Sequence, residues 1–348
     1  MAYTTINKSS EHFDTRTYSA SGAGSISDVS FQPDFLWFKN RTIVGDHGLM
    51  DAVRGVNGII HSNDSNAEVT SNGTTNITAF TSNGFTYGAS SLIDTGAGTP
   101  CTWLWKANGA GSANTDGTVN STVSVNSTSG FSIVSWTHNG SANYTVGHGL
   151  GATPRMIFAK TRSSSANWDV YHAELSTGNR LILNSTGGQV SGYWGANTVN
   201  NNTFSVGSAL ASNGTTMIAY CFAEKQGYSK FGRFTANGST DNAFVYTGFK
   251  PAFVMMKCDN VTDGWSKWYM FDTARSPENM NVKELEANTT AVESSSGADY
   301  AQIDMLSNGF KLRNGSAWGP ASSGNTSVYM AFAEAPLVGS NNVPCTAR

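Results

Sequence analysis

Three stretches of this chain close on the same kind of apolar run, and that repetition limits the fold more than any other feature. Trp103-Leu104-Trp105-Lys106-Ala107, Ile218-Ala219-Tyr220-Cys221-Phe222-Ala223-Glu224 and Val328-Tyr329-Met330-Ala331-Phe332-Ala333-Glu334 each end a block of roughly 100 residues. The blocks also open alike, on Tyr18-Ser19-Ala20-Ser21-Gly22, Trp136-Thr137-His138-Asn139-Gly140 and Phe234-Thr235-Ala236-Asn237-Gly238. A proline-led apolar run follows in each. It reads Pro33-Asp34-Phe35-Leu36-Trp37-Phe38-Lys39, then Pro154-Arg155-Met156-Ile157-Phe158-Ala159-Lys160, then Pro251-Ala252-Phe253-Val254-Met255-Met256-Lys257.

Further matches lie inside the blocks. Asp51-Ala52-Val53-Arg54 answers to Asp272-Thr273-Ala274-Arg275, and the middle block offers only the weaker His172-Ala173-Glu174-Leu175. Ser62-Asn63-Asp64-Ser65-Asn66-Ala67-Glu68 is echoed by Ala287-Asn288-Thr289-Thr290-Ala291-Val292-Glu293, and Ser82-Asn83-Gly84-Phe85 by Ser307-Asn308-Gly309-Phe310. The period divides the chain into repeats at 1–107, 108–224 (a linker, then the most diverged copy) and 225–335, with an unmatched tail at 336–348.

The local grammar is β. Apolar runs of about five to eight residues, rich in Val, Ile, Phe, Tyr and Trp, are bounded by turn pairs. Asn83-Gly84, Asn139-Gly140, Asn237-Gly238 and Asn308-Gly309 suit hairpin turns that need positive φ. Pro33, Pro154 and Pro251 stand at strand starts, where a missing N–H is tolerated. The best helix candidate, Asn279 to Glu286, is barely two turns long. The expected fold is therefore all-β: three tandem antiparallel β-sandwich modules, with a jelly-roll strand order left open. Blocks of this size can each hold a core, which favours three beads in a row over one large barrel.

Composition narrows the function classes. Charged residues are 13% of the chain and 37 glycines accompany abundant Ser, Thr and Asn, while 39% hydrophobic content supplies real cores. A net charge of −3 without a Lys/Arg stripe argues against nucleic-acid binding. No signal-peptide pattern and no run of membrane-spanning length is present, so neither secretion through a leader nor membrane insertion is expected. Cys101, Cys221, Cys258 and Cys345 have no paired spacing and read as free thiols.

Catalytic patterns are missing or weak. The six histidines form no His-Glu-x-x-His, and there is no Gly-x-Ser-x-Gly elbow. Asp46-His47 with Asp51 reads as a polar loop before a strand rather than an acid–base pair, and Asp259-Asn260-Val261-Thr262-Asp263-Gly264 as a turn rather than a calcium loop. Glu68 and Glu293 share a repeat position, as do Glu224 and Glu334, which points to shared structure before it points to a glycosidase pair. No catalytic residue, metal ligand or cofactor is expected. Binding is the stronger theme. Trp168, Trp194, Trp265 and Trp318 stand in polar, loop-like company, where an exposed indole could stack a sugar ring. Trp265 and Trp268 are three apart, so at most one of them faces outward from a strand. Asn-x-Ser/Thr triplets such as Asn184-Ser185-Thr186 and Asn288-Thr289-Thr290 are attributed to composition rather than to glycosylation.

The ordered string Phe31-Gln32-Pro33-Asp34-Phe35-Leu36-Trp37-Phe38-Lys39-Asn40-Arg41, Asp51-Ala52-Val53-Arg54-Gly55, Phe80-Thr81-Ser82-Asn83-Gly84-Phe85 and Trp105-Lys106-Ala107 resembles a repeat found in virion-associated proteins of tailed phages, especially those of marine bacteria. The opening Ile6-Asn7-Lys8-Ser9-Ser10-Glu11-His12-Phe13 and the closing Val343-Pro344-Cys345-Thr346-Ala347-Arg348 extend that resemblance. It implies a non-enzymatic structural protein, assembled in the host cytoplasm and displayed on the virion surface beside other virion proteins. Tail-fibre or receptor-binding work on host glycan is the first expectation, capsid decoration the second and a free carbohydrate-binding module the third. Three modules would form a stiff rod or a pseudo-threefold cluster. Homotrimerisation suits a fibre, although no coiled-coil heptads accompany it.

Overall fold

The computed structural model describes residues 4–70, 75–89, 98–192, 198–207, 210–294, 301–314 and 318–338. The protein is all-β, and its paired strands run antiparallel in several sheets. Each third of the chain contributes one large sheet. The first contains β1 (Phe13–Thr17), β2 (Phe35–Asn40), β3 (Gly48–Asp51), β4 (Gly55–His61) and β5 (Pro100–Trp105). The second contains β6 (Phe131–Thr137), β7 (Met156–Thr161), β8 (Asp169–His172), β9 (Asn179–Ile182) and β10 (Thr216–Phe222). The third contains β11 (Ser229–Thr235), β12 (Phe249–Cys258), β13 (Trp268–Asp272), β14 (Leu285–Glu286) and β15 (Thr326–Pro336).

In all three the spatial order is first, last, second, third, fourth: β1-β5-β2-β3-β4, β6-β10-β7-β8-β9 and β11-β15-β12-β13-β14. The registers agree as well. Phe35 faces Asp51, Met156 faces His172 and Phe253 faces Asp272, while Trp37, Phe158 and Met255 oppose Trp103, Tyr220 and Met330. A residue in one sheet therefore has a defined counterpart in the other two.

The sequence of the central strands explains the packing. Side chains alternate faces along a strand, and here both faces are apolar. Leu36 and Phe38 pack with Ile77, Phe85 and Tyr87 of a small sheet, as Ile157 and Ala159 do with Tyr144, Val146 and Phe204, and Val254 and Met256 with Val245, Ile303 and Phe310. The opposite faces meet one another. Phe35, Trp37, Trp103 and Trp105 share one buried cluster with Phe131, Met156, Phe158, Tyr220 and Phe222, and with Phe253, Met255, Trp268, Met330 and Phe332. The Phe13 ring stacks on Phe332 with centroids 5.0 Å apart, and Phe35 stacks on Tyr220 at 4.1 Å. Three beads in a row do not describe this packing: one core draws on all three thirds of the chain.

Two local expectations also change. Asn279 to Glu286 forms no helix, because Leu285 and Glu286 pair with β13 and the Asn281 amide is buried, donating to the Asp272 carbonyl at 2.9 Å. In the Asn-Gly hairpins the tip is Ser82-Asn83 or Ser307-Asn308, and the glycine begins the returning strand. Gly84, Gly140 and Gly238 have the expected positive φ of 153°, 76° and 75°. Gly84 and Gly309 also allow close approach. A Cβ there would lie 1.8 Å from the Ile26 carbonyl oxygen and 2.0 Å from that of Val245.

Each large sheet sends one lysine inward at the end of its second strand. Lys39, Lys160 and Lys257 are counterparts, and all are buried. Lys39 Nζ donates to the carbonyls of Ile43 and Thr290, both at 3.3 Å. Lys160 Nζ donates to Ser65 at 3.0 Å and Ala166 at 2.6 Å. Lys257 Nζ donates to Thr186 at 2.9 Å and to Ser266. One acceptor in each pair comes from the lysine's own sheet segment and the other from a neighbour. The contacts run first to third, second to first and third to second, which closes a cycle.

Burial lowers the pKa of each of these lysines to about 8 from the reference 10.5. From pH 8 upward the unfolded chain then holds more protons on them than the folded chain does, so their contribution to stability rises with pH until the unfolded lysines also titrate. A neutral amine keeps two N–H donors for its two carbonyls. The expected result is that the unfolding free energy of the native protein gains on that of Lys160→Met as pH rises from 8 to 10. Urea denaturation of both proteins at each pH checks this, and a difference that shrinks or stays flat would contradict it.

Candidate functional site

Two of the joints between sheets are built around buried charge. Arg54 lies fully buried beside Asp51, with Nε 2.5 Å from Asp51 Oδ2, and its other nitrogens reach the Leu49 carbonyl at 2.9 Å and Glu68 Oε2 at 3.1 Å. Arg162 of the second segment adds a two-pronged contact to the same Glu68 at 2.9 and 3.0 Å. Tyr220, also from the second segment, donates its hydroxyl to Asp51 Oδ2 at 2.8 Å. The joint between third and first segments repeats this design. Arg275 lies 2.5 Å from Asp272 and 3.0 Å from Glu293, Arg41 grips Glu293 at 2.8 and 2.6 Å, and Trp103 Nε1 donates to Asp272 Oδ2 at 3.0 Å. The paired arginines hold the Glu68 and Glu293 carboxyls below the usual carboxylate range, against a burial effect that pushes the other way.

The third joint keeps the geometry and drops the charge pattern. Gln189 stands where Glu68 and Glu293 stand, Asp259 where Arg162 and Arg41 stand, and Leu175 where Arg54 and Arg275 stand. Gln189 Nε2 donates to Asp259 Oδ2 at 2.5 Å, and the backbone is unchanged. Glu68 N–H donates to Arg162, Glu293 N–H to Arg41 and Gln189 N–H to Asp259, each at 2.8 Å. His172, the counterpart of Asp51, donates from Nε2 to the Tyr329 carbonyl at 3.2 Å, and burial lowers its pKa to about 4.

The remaining sequence candidates fall into place around these joints. Trp168 is fully buried and donates its indole N–H to the His61 carbonyl at 2.8 Å. Trp268 does the same to Ile182 at 3.0 Å. The expectation that Trp168 points outward is therefore corrected, and so is that for Trp318, which is buried against Tyr269 and Phe271. Trp194 lies outside the described residues. Trp265, in the turn before β13, is 56% exposed, while Trp268, the first residue of β13, is buried, so the two do not share a strand and alternation does not set their difference. Beside Trp265 is a notch of about 20 Å3 lined by Lys267, Glu284, Glu286 and Trp318, room for about one water. Burial and the neighbouring Glu286 raise the Glu284 carboxyl to about 7. A ligand would have to lie on the indole face rather than enter.

A shallow cleft of about 170 Å3 between the first and third segments contains Asp14 and Glu334. Asp14 is 2.8 Å from Arg16 and Glu334 is 2.9 Å from Lys250, so both carboxylates already face a cation. Asp46, His47 and Asp51 do not converge: His47 Nδ1 accepts from Trp37 Nε1 at 3.0 Å, and Asp51 faces Arg54. Asp259 and Asp263 are occupied by Arg233 and by the Trp265 N–H and Ser266 hydroxyl. Cys101, Cys221 and Cys258 are buried free thiols, while Cys345 lies outside the described residues.

Sequence reasoning missed one shared element. Asn63, Asn184 and Asn288 each accept the N–H of His47, Trp168 and Trp268 at 2.9 Å, and the residues two further on supply the lysine acceptors. The Asn-x-Ser/Thr triplets at Asn184 and Asn288 are thus part of the joint. Their spacing to Gln189 and Glu293 was the available signal.

The fold and its joints define an antiparallel all-β protein in which two buried arginine–carboxylate networks tie sheets together. The chain belongs to a family described as a domain of unknown function, DUF7483, whose model matches residues 8–336. No curated protein and no solved structure matches the chain. No helix among the described residues is long and apolar enough to cross a membrane.

Removing one partner of a buried charge network strands the others, so Glu293→Gln should cost about 3 kcal/mol of stability. Gln189→Ala, at the joint that no arginine–carboxylate pair crosses, should cost about 1 kcal/mol, the worth of an ordinary hydrogen bond. Urea midpoints of the two variants decide this, and equal losses would show that charge does not distinguish the joints.

Proposed function

We infer that the protein is a non-enzymatic structural component displayed on the surface of a tailed-phage particle. It is built as three copies of one β-sandwich module closed into a pseudo-threefold unit. The observation that carries this reading is the cycle of equivalent contacts: three lysines and three backbone bonds join the segments in the same sense. Such a cycle makes a rigid body suited to sit on a symmetric assembly. The resemblance to virion-associated repeats supplies the context. The arginine-paired Glu68 and Glu293 support a joining role over a hydrolytic one, since a free acid–base pair is what hydrolysis needs.

Host recognition as a tail-fibre or receptor-binding protein is the leading reading of the exposed surface. Trp265 offers an aromatic face beside Lys267 and Glu286, the kind of platform on which sugar rings stack, and copy number on a particle would add avidity. Capsid decoration is the second reading, and the cyclic arrangement favours it, because a pseudo-threefold unit matches a threefold junction of capsid subunits.

Immunogold labelling of intact particles tests the assignment. Gold at the tail tip supports host attachment, gold over the head supports decoration, and purified particles free of the protein would overturn both. On the attachment reading, Trp265→Ala should lower binding to host-surface glycan at least about tenfold, in line with the loss of one stacking contact, while leaving the melting temperature unchanged. Undiminished glycan binding by that variant would remove Trp265 from the recognition surface.

A further inference from the structure

The register that equates the three sheets also equates three small groups of side chains, and one of them differs in charge. His61, Ile182 and Glu286 are counterparts, being the strand partners of Gly48, Asp169 and Tyr269. Two positions before those partners stand Asp46, Asn167 and Lys267, and three positions after the first set stand Asp64, Ser185 and Thr289. In the third segment the trio contains its own cation. Lys267 Nζ lies 2.6 Å from Glu286 Oε1, and Thr289 donates its hydroxyl to Glu286 Oε2 at 2.8 Å. In the second segment the trio is uncharged. The first segment instead places two carboxylates around one imidazole and has no lysine at the matching position.

The geometry there is compact. His61 Nδ1 lies 3.2 Å from Asp64 Oδ2 and 3.5 Å from Asp46 Oδ2, and one ligand atom from each residue lies within 4.8 Å of the other two. Ligands about 2.1 Å from a tetrahedral ion are about 3.4 Å from one another. Both carboxylates are oriented by amides: Asn63 Nδ2 donates to Asp46 Oδ1 at 2.7 Å, leaving Oδ2 toward His61, while the Asn66 N–H donates to Asp64 Oδ1 at 2.9 Å and its Nδ2 to Asp64 Oδ2, the oxygen that faces His61, at 2.8 Å. All three side chains are half-buried, so water can complete the coordination.

We propose that Asp46, His61 and Asp64 bind one divalent cation of the Zn2+ or Mn2+ class, in the position that the Lys267 ammonium fills in the third segment. One imidazole nitrogen with two carboxylate oxygens suits these ions, whereas Ca2+ and Mg2+ prefer oxygen alone. The ion would act as a staple. Gly45, next to Asp46, donates its N–H to the Thr290 carbonyl of the third segment, and the His61 carbonyl accepts from Trp168 of the second. The site therefore stands where the first segment touches both neighbours.

The test is calorimetric titration of ZnCl2 into the EDTA-washed full chain, compared with Asp46→Asn and Asp64→Asn. The expected result is one ion per chain, a saturable rise in melting temperature, and binding at least about tenfold weaker in each variant. A second measurement does not depend on the variants folding. Mn2+ added to histidine-labelled native protein should broaden the His61 ring signals while sparing those of His12 and His138. Absence of binding, undiminished binding by both variants, or broadening centred on another histidine would overturn the proposal.

Discussion

A strand that is apolar on both faces must be covered twice, and the rest of this structure depends on that requirement. The central strands of the three large sheets alternate between two sets of apolar side chains, as Leu36 and Phe38 do against Phe35 and Trp37. A small sheet covers one face in each segment. Nothing within the segment covers the other, and water is excluded only when the three exposed faces turn toward one another. The shared cluster of Trp103, Tyr220 and Met330 and their neighbours is the result. An aromatic side chain in this cluster touches residues from other thirds of the chain, so removing one there weakens more than its own sheet.

Burying three faces together brings the strand ends together as well, and the ends carry polar groups that have to be satisfied. The lysines do this by donating to loop carbonyls, one of them across a joint in each case. Arginine–carboxylate networks do it at two joints, at the cost of desolvating several charges, and Gln189 with Asp259 does it at the third. The backbone bonds at the three joints have equal length. The same main-chain bond with different side-chain chemistry indicates that the main chain sets the joint and the side chains are adjusted to it.

Much of this was legible in the residues. Short β-branched and aromatic runs gave the fold class, and the repeated Pro-led run, the Asp-x-x-Arg pair and the Glu68/Glu293 match all fall on counterpart positions in the sheets. What could not be read was which faces meet. Periodicity shows that a strand is apolar on both sides, but it does not say whether the second cover comes from the same segment or another, and so the beads-in-a-row expectation failed. Tryptophan context misled for a related reason. Trp168 and Trp318 sit among polar neighbours because the indole N–H needs a carbonyl partner, not because the ring meets water. Leu285 and Glu286 were drawn into a helix by local propensity, while pairing with Tyr269 and Met270 decided otherwise.

The Lys257–Thr186 contact closes the same cycle as the Lys39–Thr290 contact, although one joins consecutive thirds of the chain and the other joins its first third to its last. Sequence order therefore leaves no mark on how the sheets meet. Three separate chains, each carrying one such unit, could assemble through the same joints as a homotrimer. They would then be obliged to carry every surface feature three times. Tying the units into one polypeptide lifts that obligation: a single Trp265 and a single Asp46–His61–Asp64 group can each occupy one sector while the other two sectors remain free to differ.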